Sequence, residues 1–90
     1  MTTVTVITGD PRSGRSLVAA AIAAFIRNTE GKNSYALNGK TSLKPNNFDP
    51  NKLNDLLLVS SSDKIESWMR NWFDRFGAPL FHIHIRRLDE

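Results

Sequence analysis

Apolar and polar positions change their period several times along the chain, and each change marks an element. Val4, Val6 and Ile7 lie with Thr5 and Thr8 in a β-branched run, closed by Gly9, that predicts a strand covered on both faces. From Gly14 the period switches. Leu17, Val18, Ala21, Ile22, Phe25 and Ile26 recur at helical spacing and define one apolar helix face. Alanines at 19, 20, 21, 23 and 24 raise helix propensity and permit close approach to a sheet. This helix is expected to fade over Arg27 to Glu30 and stop at Gly31. Ser34 to Leu37 predicts a second short strand, ended by the turn formers Asn38 and Gly39. A strand, a crossover helix and a strand form a right-handed unit, so these two strands should run parallel.

The segment Lys40 to Asn54 carries two prolines, four asparagines and few apolar residues. It reads as a loop with a helical turn at Pro50 to Leu53, pinned to the body by Phe48 and Leu53. Leu56 to Val59 is a continuous apolar run, the pattern of a central strand covered on both faces, and it ends in Ser60, Ser61 and Ser62. Asp63 followed by Glu66 has capping-box spacing and predicts a helix start. On that helix Ile65, Trp68, Met69, Trp72, Phe73 and Phe76 share a face, opposite Lys64, Arg70, Asn71, Asp74 and Arg75. Gly77 and Pro79 end it. Leu80 to Ile85 predicts a last strand with Phe81, Ile83 and Ile85 on one side and His82, His84 and Arg86 on the other.

The expectation is an α/β fold of β-α-β-loop-β-α-β order: a small, mainly parallel sheet of about four strands with flanking helices, in a single domain over residues 1–90. A chain of 90 residues buries only roughly 60% of its unfolded surface, which leaves a small core. The absence of cysteine removes disulfide and thiol chemistry. No basic cluster followed by a signal-type apolar stretch opens the chain, and Leu17 to Ile26 is too short to span a bilayer. A soluble, cytoplasmic protein without a membrane role is expected. The net charge of +3 is spread from Arg12 to Arg87, which permits nucleic acid as a partner without requiring it.

Candidate chemistry concentrates in Gly9, Asp10, Pro11, Arg12, Ser13, Gly14, Arg15 and Ser16, between the first strand and the first helix. A glycine, four residues, a glycine, a basic residue and a hydroxyl residue match the spacing of a phosphate-binding loop. In such a loop glycines fold the backbone tightly, and the free N–H groups of a helix start face an anion. The place of the usual lysine is held by Arg15.

With these elements placed, the chain resembles a minimal, degenerate P-loop NTPase core. More narrowly, it resembles the ATPase region of zonula occludens toxin-like proteins, which assemble filamentous phages. VITGDPRSGRSLVAAAI looks like the opening strand, loop and helix of that family, SYALNGKTSLKP like its second strand and turn, and DRFGAPLFHIHI like the helix and strand after its Walker B segment. The resemblance implies ATP or another nucleotide as ligand, with magnesium held weakly by the Ser16 hydroxyl. It also exposes departures. Arg15 keeps the charge of the lysine but is longer, planar and forked. Ser60 and Ser61 stand where an acidic pair would support magnesium and activate water, and serine does neither near neutral pH. Asp63 is the nearest substitute carboxylate, although capping a helix is its simpler role. Hydrolysis is therefore not expected, and no catalytic residue can be named.

Two functional classes follow. One is a module that binds a nucleotide or phosphate anion through Gly9 to Ser16 with little or no turnover. The alternative is a non-enzymatic interaction module, such as a phage-type inhibitor or adaptor, that uses the fold as a scaffold for a protein partner. For each residue group a plain reading competes: Arg12 and Arg15 solvated or paired with Asp10, the Trp68 and Trp72 stripe as core packing, and Arg86 and Arg87 as a solvated tail. His82 and His84 lack the further ligands zinc needs and read as exposed residues of an edge strand. If that strand is terminal, pairing with a second copy would give a homodimer with a continuous sheet.

Overall fold

The computed structural model describes residues 1–39 and 49–87. Phe48, Asp89, Glu90 and most of the loop read over Lys40 to Asn54 lie outside these residues. Four strands, β1 (Thr3–Gly9), β2 (Ser34–Asn38), β3 (Asp55–Val59) and β4 (Phe81–Ile85), form one all-parallel sheet in the order β2-β3-β1-β4. Helix α1 (Arg15–Glu30) follows β1 on one face. A 3-10 turn, Ser67–Met69, leads into the short helix α2 (Arg70–Phe76) on the other. Residues 50–52 form the expected helical turn after the N-cap Asp49, and Leu53 behind it is buried.

The continuous apolar run of β3 is explained by its central position. Leu56 and Leu58 pack on the α2 side with Val4, Val6 and Met69, while Leu57 and Val59 pack on the α1 side with Ile7, Ala19 and Ala23. Trp68, Trp72, Phe73 and Phe76 close the α2 side as core packing. Trp72 and Phe76 stack at 6.0 Å between ring centres.

Helix α1 faces the sheet differently from the reading of its apolar stripe. Ala19 and Ala23 are fully buried, whereas Leu17 and Phe25 are 75% and 66% exposed and Ala21 is exposed as well. The helix lies mainly over β2 and β3, and its small residues let its backbone settle onto them. Two overlapping stripes at helical spacing compete here, and close packing by alanine wins over the larger side chains.

The second correction concerns α2. No helix starts at Asp63: residues 61–66 are irregular, and Ile65 is exposed. Glu66 does not cap a helix through Asp63 but turns back to the end of β3, where donors await a carboxylate. The helix ends as expected, with Gly77 at φ 99° donating its N–H to Phe73.

Candidate functional site

The C-terminal ends of β1 and β3 carry the loops that build the site. Gly9, the last residue of β1, has no room for a side chain: a Cβ there would lie 2.7 Å from Ser13 Oγ and 2.8 Å from the Ile85 carbonyl. Beyond it the chain turns through Arg12, at φ 58°, and Gly14, at φ 80°. Left-handed backbone at Arg12 costs of the order of 1 kcal/mol, because an L side chain crowds the following carbonyl. Gly14 pays no such penalty. A side chain at Gly14 would meet nothing within 4 Å, so that glycine is required by its backbone conformation.

Val18 makes the first bond of α1, donating to the Gly14 carbonyl at 2.9 Å. The amides of Arg15, Ser16 and Leu17 precede it and have no carbonyl within the helix to bond. Residues 12–17 line a cleft of about 240 Å³ together with Asn38, Ser60 and Ser61. Of the residues singled out from the spacing, Arg12, Ser13, Gly14, Arg15 and Ser16 line this cleft. Gly9, Asp10 and Pro11 are not among the lining residues.

Arg15 does not pair with the Asp10 carboxylate. Its guanidinium donates to the carbonyls of Gly9 at 2.5 Å, Asp10 at 3.2 Å and Ser61 at 3.1 Å. It therefore ties the loop to the end of β3. Among the described residues three of its five N–H groups find acceptors, which leaves two. The Asp10 carboxylate instead accepts the Arg87 N–H at 2.9 Å and lies 3.5 Å from His84 Nε2. The Arg87 N–H, then His84 and Arg86, hold its pKa below the ordinary value.

Ser16 Oγ accepts a bond from Asn38 Nδ2 at 3.2 Å. Ser13 Oγ is buried without a partner. No carboxylate lines the cleft among the described residues. This donor set suits an anion. It does not fit a resident magnesium ion, which needs carboxylate or phosphate oxygens beyond one neutral hydroxyl.

Glu66 is the residue that sequence reasoning misplaced. Its carboxylate accepts from Ser61 N–H and Ser61 Oγ, both at 2.7 Å, and from Ser60 Oγ and Trp68 Nε1, both at 3.2 Å. These bonds, the Ser61 hydroxyl foremost, hold its pKa at about 2. The carboxylate is spent on fixing Ser60 and Ser61 behind the cleft. Asp63, the expected substitute, is exposed. The only advance signal was three serines followed shortly by a glutamate, which the capping-box reading also explains.

The histidines of β4 are exposed as read, yet both rings are bonded. His82 Nε2 and His84 Nδ1 lie 2.8 and 2.9 Å from the hydroxyl of Thr8, which is fully buried. Among the described residues no group of three or more His, Cys, Asp or Glu could hold a metal ion, and no helix is long and apolar enough to cross a membrane. Compared with known proteins, the chain matches no family model, no curated protein and no solved structure.

Proposed function

We propose that this chain is a degenerate P-loop protein that binds a nucleotide or phosphate anion through Gly9 to Ser16 with little or no hydrolysis. One observation carries the reading. The first residues of α1, whose amides have no carbonyl partner within the helix, line a cleft with Arg12 and Ser13, and no carboxylate lines it among the described residues. Backbone N–H groups of that kind, two guanidinium groups and hydroxyls are donors without a competing negative charge. The same lack of a lining carboxylate leaves no base to activate water, since Glu66 is ionised and held by its own donors.

Calorimetric titration with ATP, ADP, GTP and pyrophosphate, with and without magnesium, tests the proposal. Binding with a dissociation constant on the order of micromolar is expected, and Gly14→Val should weaken it, because a β-branched residue resists φ 80°. Arg15→Lys should strengthen binding if the clasp restrains a genuine site. The second reading, a scaffold for a protein partner, is favoured by how fully Arg15 is occupied with backbone carbonyls. Folded protein that gives no heat with any of these anions would replace the first reading by the second.

A further inference from the structure

The edge of the sheet at β4 is unlike the edge at β2. Ser34, Tyr35 and Leu37 of β2 are buried, and Arg27 of α1 donates to the Ser34 carbonyl at 2.7 Å and covers the Tyr35 ring at 5.4 Å. Among the described residues strand β4 pairs only with β1, and four of its five residues are exposed. Phe81 and Ile83 are 56% and 39% exposed. Beside them a groove of about 320 Å³ runs between α1 and β4, bounded by Ile22, Ile26, Leu57, Phe81 and Ile83. None of the devices that protect an edge strand, a lysine, a proline or a bulge, occurs within Phe81–Ile85.

The sequence of the strand, Phe-His-Ile-His-Ile, reads almost the same in both directions about Ile83. The backbone is set accordingly. Asp10 N–H donates to the Ile85 carbonyl at 3.0 Å, and backbone groups alternate sides along a strand. Ile83 and Ile85 therefore turn their polar groups toward β1, and His82 and His84 turn theirs to the open edge.

We infer that β4 is the docking surface for a second copy of this chain, paired antiparallel about a two-fold axis at Ile83. In that register His82 and His84 exchange backbone bonds with His84 and His82 of the second copy, and Ile83 meets its own equivalent at the close, non-hydrogen-bonded position. Phe81 meets Ile85. The apolar row lies on the α1 face of both copies, where it joins the two grooves, and the imidazoles lie on the other face, held upright by Thr8. Pairing in the parallel sense would flip one copy, set its histidine row beside the apolar row and bring Arg86 and Arg87 of the two copies side by side. The self-complementary pattern selects a second copy over an unrelated strand, because an isologous contact requires the patch to match itself. A seam of five residues per chain is small, so the dimer is reversible, with a dissociation constant on the order of 10–100 µM.

Sedimentation over a concentration series, combined with cross-linking, tests this. The wild-type mass should rise from monomer toward dimer, and Ile83→Lys should hold it at monomer while leaving the far-ultraviolet spectrum unchanged. The chain has no cysteine. Ile83→Cys should therefore form a disulfide-linked dimer under mild oxidation about tenfold or more faster than the exposed control Lys32→Cys, since the facing Cα atoms fall within disulfide reach. A mass that stays at monomer into the millimolar range would overturn the proposal and leave the edge to a strand of another chain. Self-association that survives Ile83→Lys, or equal cross-linking of the two cysteine variants, would also overturn it.

Discussion

The cleft at the start of α1 and the open edge at β4 handle backbone polarity in opposite ways. Around the cleft, side chains satisfy the main chain closely: Arg15 reaches three carbonyls and Glu66 receives an amide. The donors left over there are the first amides of α1, the buried Ser13 hydroxyl and two guanidinium N–H groups. At β4 no described residue pairs with the outer main chain, along a strand whose exposed residues include Phe81 and Ile83. Spare donors surrounded by fixed partners are what the proposed anion site requires. Open donors and acceptors beside apolar side chains are what the proposed strand pairing requires. Substitutions should separate the two: at the cleft they cost stability, and at the edge they cost association.

The largest effect is expected at Gly9, where the two regions meet. Gly9→Val would press its side chain against Ser13 Oγ and the Ile85 carbonyl, and overpacking of this kind costs about 3 kcal/mol or more where one of the atoms is backbone. Urea unfolding should record the loss; a stability equal to wild type would show that the loop relaxes freely. Arg15→Ala comes next. It takes the guanidinium from the carbonyls of Gly9 and Ser61, while the Asp10 carbonyl keeps the Ser13 N–H, with an expected loss of about 1–3 kcal/mol in the same measurement.

Glu66→Gln should cost less, about 1 kcal/mol near neutral pH, because the carboxylate is partly open to solvent. Its signature is in the pH dependence. A folded-state pKa of about 2 against an ordinary 4.5 means that the ionised group stabilises the fold fully above the ordinary value. That contribution is lost as the pH falls toward 2. Unfolding midpoints taken across this window should therefore decline less steeply for Glu66→Gln than for wild type. The smallest effect on the monomer is expected from Ile83→Lys, within about 0.5 kcal/mol in dilute protein, since its side chain is 39% exposed. A loss comparable to that of Arg15→Ala would make the β4 edge part of the core and erase the contrast.

Most of the architecture was legible in the sequence because it rests on strong local periods. The double-sided strand Leu56 to Val59 and the β-branched run Val4 to Thr8 appear where the pattern places them, and Gly31 and Gly77 end the two helices. The misreadings share a cause. The alanine face of α1 and the backward turn of Glu66 are decided by what lies opposite in space, and local spacing is silent on that. Ala19 and Ala23 are buried because β2 and β3 accept a close helix, while Leu17 and Phe25 only look like better core residues. Glu66 stands three residues after Asp63, but the donors of Ser60 and Ser61 outweigh a capping box. For the site, the turn between β1 and α1 falls where the glycines stand. The bond of Arg15 to Ser61 and the bonding of Thr8 to both histidines could not be read, since each joins residues far apart in the chain.

The amide resonances of the loop offer the most direct test of anion binding. Titrating nitrogen-labelled protein with pyrophosphate should shift the N–H signals of Ser13, Gly14, Arg15, Ser16 and Leu17 first and furthest, with smaller movements at Asn38 and Ser61 and none along β2. Saturating pyrophosphate and ATP that leave those five amides in place, or that move only the signals around Arg86 and Arg87, would contradict the account of the Gly9 to Ser16 loop as an anion site.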